Sequence, residues 1–149
     1  MKLRICLDTS VFSAYDDERT PDRLAETREF WSRLSDFEAS TSELAALELK
    51  QTSNPLKRAR LEALLRDVII HPLTDDMRAL AHRYVDGGAF SPGMYNDALH
   101  VAAAVLAGQD VLISWNFKHL VNRRRRAQVN EINTLSGLPT VEIVAPPEL

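Results

Sequence analysis

The chain has 149 residues, 45% of them hydrophobic and 26% charged, the composition of one ordinary globular domain and not of a disordered chain. A formal net charge of −3 gives no general support for nucleic-acid binding, since strong general binders are usually basic, and the lone cysteine, Cys6, excludes an intramolecular disulfide and fits a reducing compartment. There is no apolar run of about 20 residues to span a membrane, and Leu3 to Leu7, ended by Asp8, is too short for a signal-peptide core, so a cytoplasmic protein without membrane association is expected.

Leu3 to Leu7 reads as a buried strand, and Asp8-Thr9-Ser10 behind it as a helix cap. Pro21-Asp22 opens a helix expected to run through Phe37, with Leu24, Phe30, Trp31 and Leu34 on one face. Glu38 to Thr41 is turn-like or strand-like, and Ser42 caps a helix to about Lys50. Asn54-Pro55 starts another helix, followed by a β-branched strand at Val68-Ile69-Ile70 that stops at His71-Pro72. Thr74-Asp75-Asp76 caps a helix through about Val85, broken at Gly87-Gly88. The next helix, from Asn96-Asp97 to Ala107, is apolar almost all round, so it is expected to be buried, its alanines allowing close approach to a sheet. Val111 to Ser114 is a further strand, residues 117–135 are helical or loop-like, and Val141 to Val144 closes as a last strand. Strands alternating with helices pair in parallel through right-handed crossovers. The expected fold is a single α/β domain over residues 1–149, a three-layer α/β/α sandwich with a central, mostly parallel sheet. In such folds ligands sit outside the carboxyl ends of the strands, near the switch in strand order.

Asp8, at a strand end, can be a plain helix cap. Asp97, in a first helical turn, is favoured there by the macrodipole, and Glu48, between Leu47 and Leu49, can simply face solvent. Asp8 and Asp97 gain meaning together, because this fold brings both to one sheet edge. Two carboxylates about 5 Å apart repel by roughly 3 kcal/mol at an effective dielectric of about 20. Either their pKa values rise or a cation binds. Oxygen ligands select Mg²⁺ or Mn²⁺ over zinc, and Mg²⁺ keeps waters and takes phosphate oxygens, which suits phosphodiester hydrolysis.

Four segments carry a resemblance over nearly the whole chain: Leu7-Asp8-Thr9-Ser10-Val11; Ser42 through Glu48-Leu49; Asn96-Asp97-Ala98-Leu99-His100-Val101-Ala102; and Val111-Leu112-Ile113-Ser114-Trp115-Asn116-Phe117. In this order and spacing the chain resembles the PIN-domain ribonucleases, especially the VapC-like toxins of bacterial toxin–antitoxin pairs. The resemblance implies a divalent-metal-dependent endoribonuclease that attacks an RNA phosphodiester in line with metal-activated water. It also implies a cognate antitoxin and a homodimer as partners. Asp8, Glu48 and Asp97 then correspond to the metal-binding acids, and Ser10 to a helper near the metal. Glu43 competes with Glu48, which is favoured because the family's acid lies at its distance from the serine and is followed by leucine. The family often has a further aspartate where this chain has Asn116, whose amide oxygen can coordinate but is neutral. One firm metal site is therefore expected, with a second metal joining only alongside RNA, and a form that binds RNA without cutting it is the alternative.

The four histidines show no zinc spacing. His100 shares a helix face with Asp97 and is expected to be buried and hydrogen-bonded. Trp115 and Phe117 can pack in the core or offer a ring to a base. Within the block Arg123 to Arg126, Arg124 and Arg125 are candidates for contacts to RNA phosphates, a solvated helix face being the other reading. A dehalogenase-like phosphatase also begins with a strand and an aspartate, but it needs a second aspartate where Ser10 stands. No acidic pair and late lysine mark a receiver domain, and no glycine loop cradles a phosphate.

Overall fold

A computed structural model describes residues 1–149. Five strands, β1 (Arg4–Leu7), β2 (Glu38–Ser42), β3 (Ile69–His71), β4 (Val111–Ile113) and β5 (Glu142–Val144), form one sheet in the order β3-β2-β1-β4-β5. Every pair is parallel. Seven helices connect them: α1 (Thr9–Tyr15), α2 (Pro21–Ser32), α3 (Glu43–Lys50), α4 (Pro55–Leu64), α5 (Asp75–Asp86), α6 (Tyr95–Leu106) and α7 (Arg123–Leu135). The expected α/β/α sandwich is the fold observed.

Strand order explains the layers. From β1 the chain steps outward to β2 and β3, then returns across the sheet to β4 and steps outward the other way to β5. Right-handed crossovers therefore place α1–α4 on one face and α5–α7 on the other, and α1–α4 pack on one another while α5 packs on α6 and α7. The direction reverses between β1 and β4, so their carboxyl ends flank the crevice where this architecture binds ligands. β1 carries Ile5, Cys6 and Leu7 into the core, and β4 carries Val111, Leu112 and Ile113. Ala98 to Val105 of α6 is buried throughout. Four alanines in that stretch let the helix axis lie close to the sheet.

Local signals agree with most boundaries. Asp8, Ser42, Asn54 and Thr74 each accept a backbone N–H at the start of the following helix. Gly108 adopts φ +73 just beyond α6, a backbone conformation that a side chain disfavours. One expectation needs correction, and one open reading is resolved. The helix from Pro21 stops at Ser32 instead of reaching Phe37, and a 3₁₀ turn follows at Leu34–Asp36. This tighter turn buries Leu34, returns the Phe37 ring to 5.9 Å from Phe30 and aligns Glu38 with Arg4 at the start of the sheet. The segment 38–41, left open between turn and strand, is the interior strand β2.

Candidate active site

Three parts of the chain meet at the carboxyl edge. Asp8 directly follows β1, Ser114 directly follows β4, and Leu7 pairs with Ile113, so register alone sets Asp8 beside Ser114. α6 feeds β4, which puts its first turn, with Asp97, on the same edge. Glu48 arrives on α3, after β2.

Asp8 is 5% exposed. Its Oδ1 accepts the Ser10 N–H at 3.0 Å and the Ser10 hydroxyl at 2.5 Å, and its Oδ2 accepts the Ser114 hydroxyl at 2.7 Å. Burial drives this carboxyl above the ordinary carboxylate value, outweighing the nearby charge of His100 and the Ser10 and Ser114 hydrogen bonds. The two serines are oriented in turn. Ser10 Oγ accepts the Trp115 N–H at 2.8 Å, and Ser114 Oγ accepts the Asn116 N–H at 2.9 Å. The cap reading of Asp8 is thus correct, and it coexists with a buried charge at the switch point.

Glu48 Oε1 lies 2.6 Å from His100 Nε2 and accepts the Thr9 hydroxyl at 2.9 Å. Burial pushes the Glu48 carboxyl up, but the His100 hydrogen bond and charge, with Thr9, hold it below its usual value. Burial likewise works to lower the His100 pKa, yet the Glu48 bond and the charges of Asp8, Glu48 and Asp97 raise it. His100 therefore bonds Glu48 and feels the charge of all three acids. It is buried and hydrogen-bonded, as its helix position suggested. Glu43 is held elsewhere, its carboxylate accepting the Leu73 N–H at 3.1 Å.

Asp97 Oδ2 is 2.9 Å from His119 Nδ1. Asn116 Oδ1 accepts the His119 backbone N–H at 3.0 Å, so this amide closes the turn that presents His119. Arg125 is partly engaged by the fold. Its guanidinium donates to the Ala89 carbonyl and lies 4.4 Å from the Phe90 ring centre, while Nε is buried without a partner. Arg124 is exposed, and with the half-buried Arg125 it lines a cleft of about 420 Å³ that Lys118, Asn122 and Gln128 also border. Trp115 and Phe117 differ in burial. Trp115 is buried and donates to Thr27 Oγ1 at 2.8 Å, whereas Phe117 is 46% exposed.

Thr9, Ser114 and His119 were not singled out from the residues as parts of the site. Ser114 was accessible once β1 was paired with β4, since it then lies opposite Asp8. His119 carried no signal, because its approach to Asp97 depends on an irregular turn.

No three His, Cys, Asp or Glu side chains close on one point as they would around a metal ion. Asp8, Glu48 and Asp97 hold partners of their own. The donor chemistry nonetheless fits a hard divalent cation, with carboxylate and hydroxyl oxygens predominating and no thiolate. Burial penalises the ionised form of Asp8 more than the nearby His100 charge offsets, so added positive charge there would favour the carboxylate.

A family model described as PIN domain matches residues 5–118. No curated protein sequence matches the chain. Among solved structures, the chain is similar to VapBC2 from Rickettsia felis bound to a DNA fragment from its promoter, with a TM-score of 0.62 and 12% identity over 95% of this chain and 97% of that one. It is similar to VapC20 of Mycobacterium tuberculosis, a sarcin–ricin loop cleaving toxin, with a TM-score of 0.60 and 17% identity over 77% and 92% of the two chains. DNA-bound VapBC from Salmonella typhimurium gives a TM-score of 0.56 at 15% identity, over 97% and 98%.

Proposed function

The chain belongs to the PIN domain family, and on that premise we propose that it is a divalent-metal-dependent endoribonuclease, the toxin of a toxin–antitoxin pair. The observation that carries the reading is the pair of Glu48 and the buried His100 imidazole, set within the field of Asp8 and Asp97 at the topological switch point. Carboxylates grouped at the carboxyl edge of a parallel sheet stand where such folds bind ligands. The toxin assignment draws on the VapC20 and VapBC neighbours. An antitoxin, a homodimeric state and an RNA substrate belong to the same proposal.

Asp8 and Asp97, with Glu48, would hold the cation. When bound, it would supply charge neutralisation at the phosphate and a lowered pKa for a water. The chain's own groups do the rest. Ser10 and Ser114 fix both oxygens of Asp8, so the carboxylate meets its ligand without reorientation. His100 and Thr9 hold Glu48, and His119 holds Asp97 from the solvent side. Arg124 and Lys118, in their cleft, are placed to receive phosphates of the bound strand.

The test is cleavage of single-stranded RNA by the purified protein, with Mg²⁺ and with a chelator. Cutting that needs the metal is expected, and cutting unaffected by the chelator would reject the reading. One observation favours the alternative of RNA binding without catalysis: Asn116, where the family often has an aspartate, is engaged by the His119 N–H. The same assay decides it, since RNA retention with no cutting at any metal concentration would establish that form.

A further inference from the structure

A second cleft, of about 590 Å³, is lined by residues that include Ser10, Arg23, Trp115, Asn116, Phe117 and Lys118. Its size falls within the ~300–1,000 Å³ of small-ligand sites. The Trp115 and Phe117 rings meet edge to face, centres 6.1 Å apart at 66°, and form a notch. The Arg23 guanidinium occupies that notch, 5.3 Å from the Trp115 ring centre and 5.5 Å from that of Phe117. A flat, delocalised cation resting on two rings marks a surface that takes a planar π partner. Phe117 is 46% exposed, an open aromatic face that the core does not need.

Two links tie the notch to the acids. Ser10 lines the cleft and donates to Asp8 at 2.5 Å, and the same Ser10 oxygen accepts the Trp115 backbone N–H at 2.8 Å, while the indole N–H is held by Thr27. The stacking surface and the buried carboxylate are therefore held by one hydroxyl. Lys118 lines both this cleft and the Arg124 cleft, so a strand could pass from one to the other along Lys118. Asp17 also borders the notch, but its carboxylate is paired with Arg19 at 2.9 Å.

We propose that this cleft holds one base of a single-stranded RNA next to the scissile phosphate, stacked against Phe117 at the edge of Trp115, with Arg23 and Lys118 turned to the flanking phosphates. The inference rests on the ribonuclease reading and adds to it the element that senses a base. Stacking on an aromatic ring tolerates every base but favours large ones, so the notch would select for an unpaired purine near the cut.

The experiment compares oligoadenylate with an abasic ribose-phosphate oligomer of equal length and charge, by fluorescence anisotropy on an Asp97→Asn background that prevents cutting. The tighter binding of the base-bearing oligomer measures stacking apart from charge. Phe117→Ala is expected to shrink that preference about tenfold, and Phe117→Trp to retain it. An unchanged preference in Phe117→Ala, or equal binding of both oligomers by the Phe117 protein, would overturn the stacking site and leave the RNA reading standing. Failure of that protein to bind either oligomer would overturn both. The side chain is half exposed, and matching thermal melts of the variants establish that the comparison concerns folded protein.

Discussion

His100 Nε2 and Glu48 Oε1 stand 2.6 Å apart, joining α6 to α3 across the carboxyl edge of the sheet. The imidazole is buried and the carboxylate partly so. A hydrogen bond between charged partners contributes roughly 1.5–3 kcal/mol, so His100→Gln is expected to cost about that much in chelator-treated protein. The His100 pKa is raised in the folded state, so its contribution is complete below about 6.5, its unfolded value, and is lost as pH rises through the folded value. The Glu48 pKa is lowered, so its contribution holds above about 4.5 and is lost as pH falls through the folded value. Urea midpoints of the two proteins should therefore differ most between those limits and converge above them. A difference that stays constant across pH would contradict the pairing.

Asp8→Asn should separate stability from activity. Burial raises the Asp8 pKa, so the ionised carboxylate disfavours the folded state at neutral pH, and stability is recovered as pH falls through the folded value. The amide removes that burden and can still accept from Ser10. Stability is expected to stay within ~1 kcal/mol of the parent or to rise. RNA cleavage should fall about a thousandfold, because a unit charge about 4 Å from another is worth about 4 kcal/mol at an effective dielectric of about 20. Thermal melts and single-turnover cleavage check the two halves, and a destabilised but active variant would refute the assignment.

Ser114→Ala removes the donor to Asp8 Oδ2 and the acceptor of the Asn116 N–H. Each buried group left unpaired costs about 1–3 kcal/mol. The variant should melt lower than wild type and exchange the Asn116 amide proton faster, which hydrogen exchange resolves directly.

The two central arginines of the basic block should behave oppositely. Arg124 lines an open cleft, so Arg124→Ala is expected to reduce the salt dependence of RNA binding by about one unit of slope and to leave stability unchanged. Arg125 packs on Phe90 and caps the Ala89 carbonyl, so Arg125→Ala should lower stability. An Arg125→Ala protein as stable as the parent would show that the packing of Arg125 on Phe90 does not hold in solution.

Fold class, strand sequence and most helix starts were legible because they rest on local chemistry. Apolar runs ended at Asp8 and Pro72, and polar caps stood at Ser42, Asn54 and Thr74. The end of α2 was not legible, since no glycine or proline marks it and packing of Leu34 and Phe37 decides it. Within the site, Asp8 and Asp97 followed from strand-end geometry, while Glu48 was preferred to Glu43 only by resemblance. Their separation is visible in space, one on His100 and the other on the Leu73 loop. Arg124 and Arg125 are neighbours in one block, and only the packing around Phe90 distinguishes them.

The central claim is that the acid centre cuts RNA. Cleavage of a single-stranded RNA by wild type and by Asp97→Asn, purified side by side and assayed across a Mg²⁺ titration, tests it most directly. Asp97 lies in the first turn of α6, with His119 on it, so the amide should preserve the fold and its melting temperature. The expected result is Mg²⁺-dependent cutting by wild type and none by the folded variant. Cutting by Asp97→Asn at the wild-type rate would contradict the account.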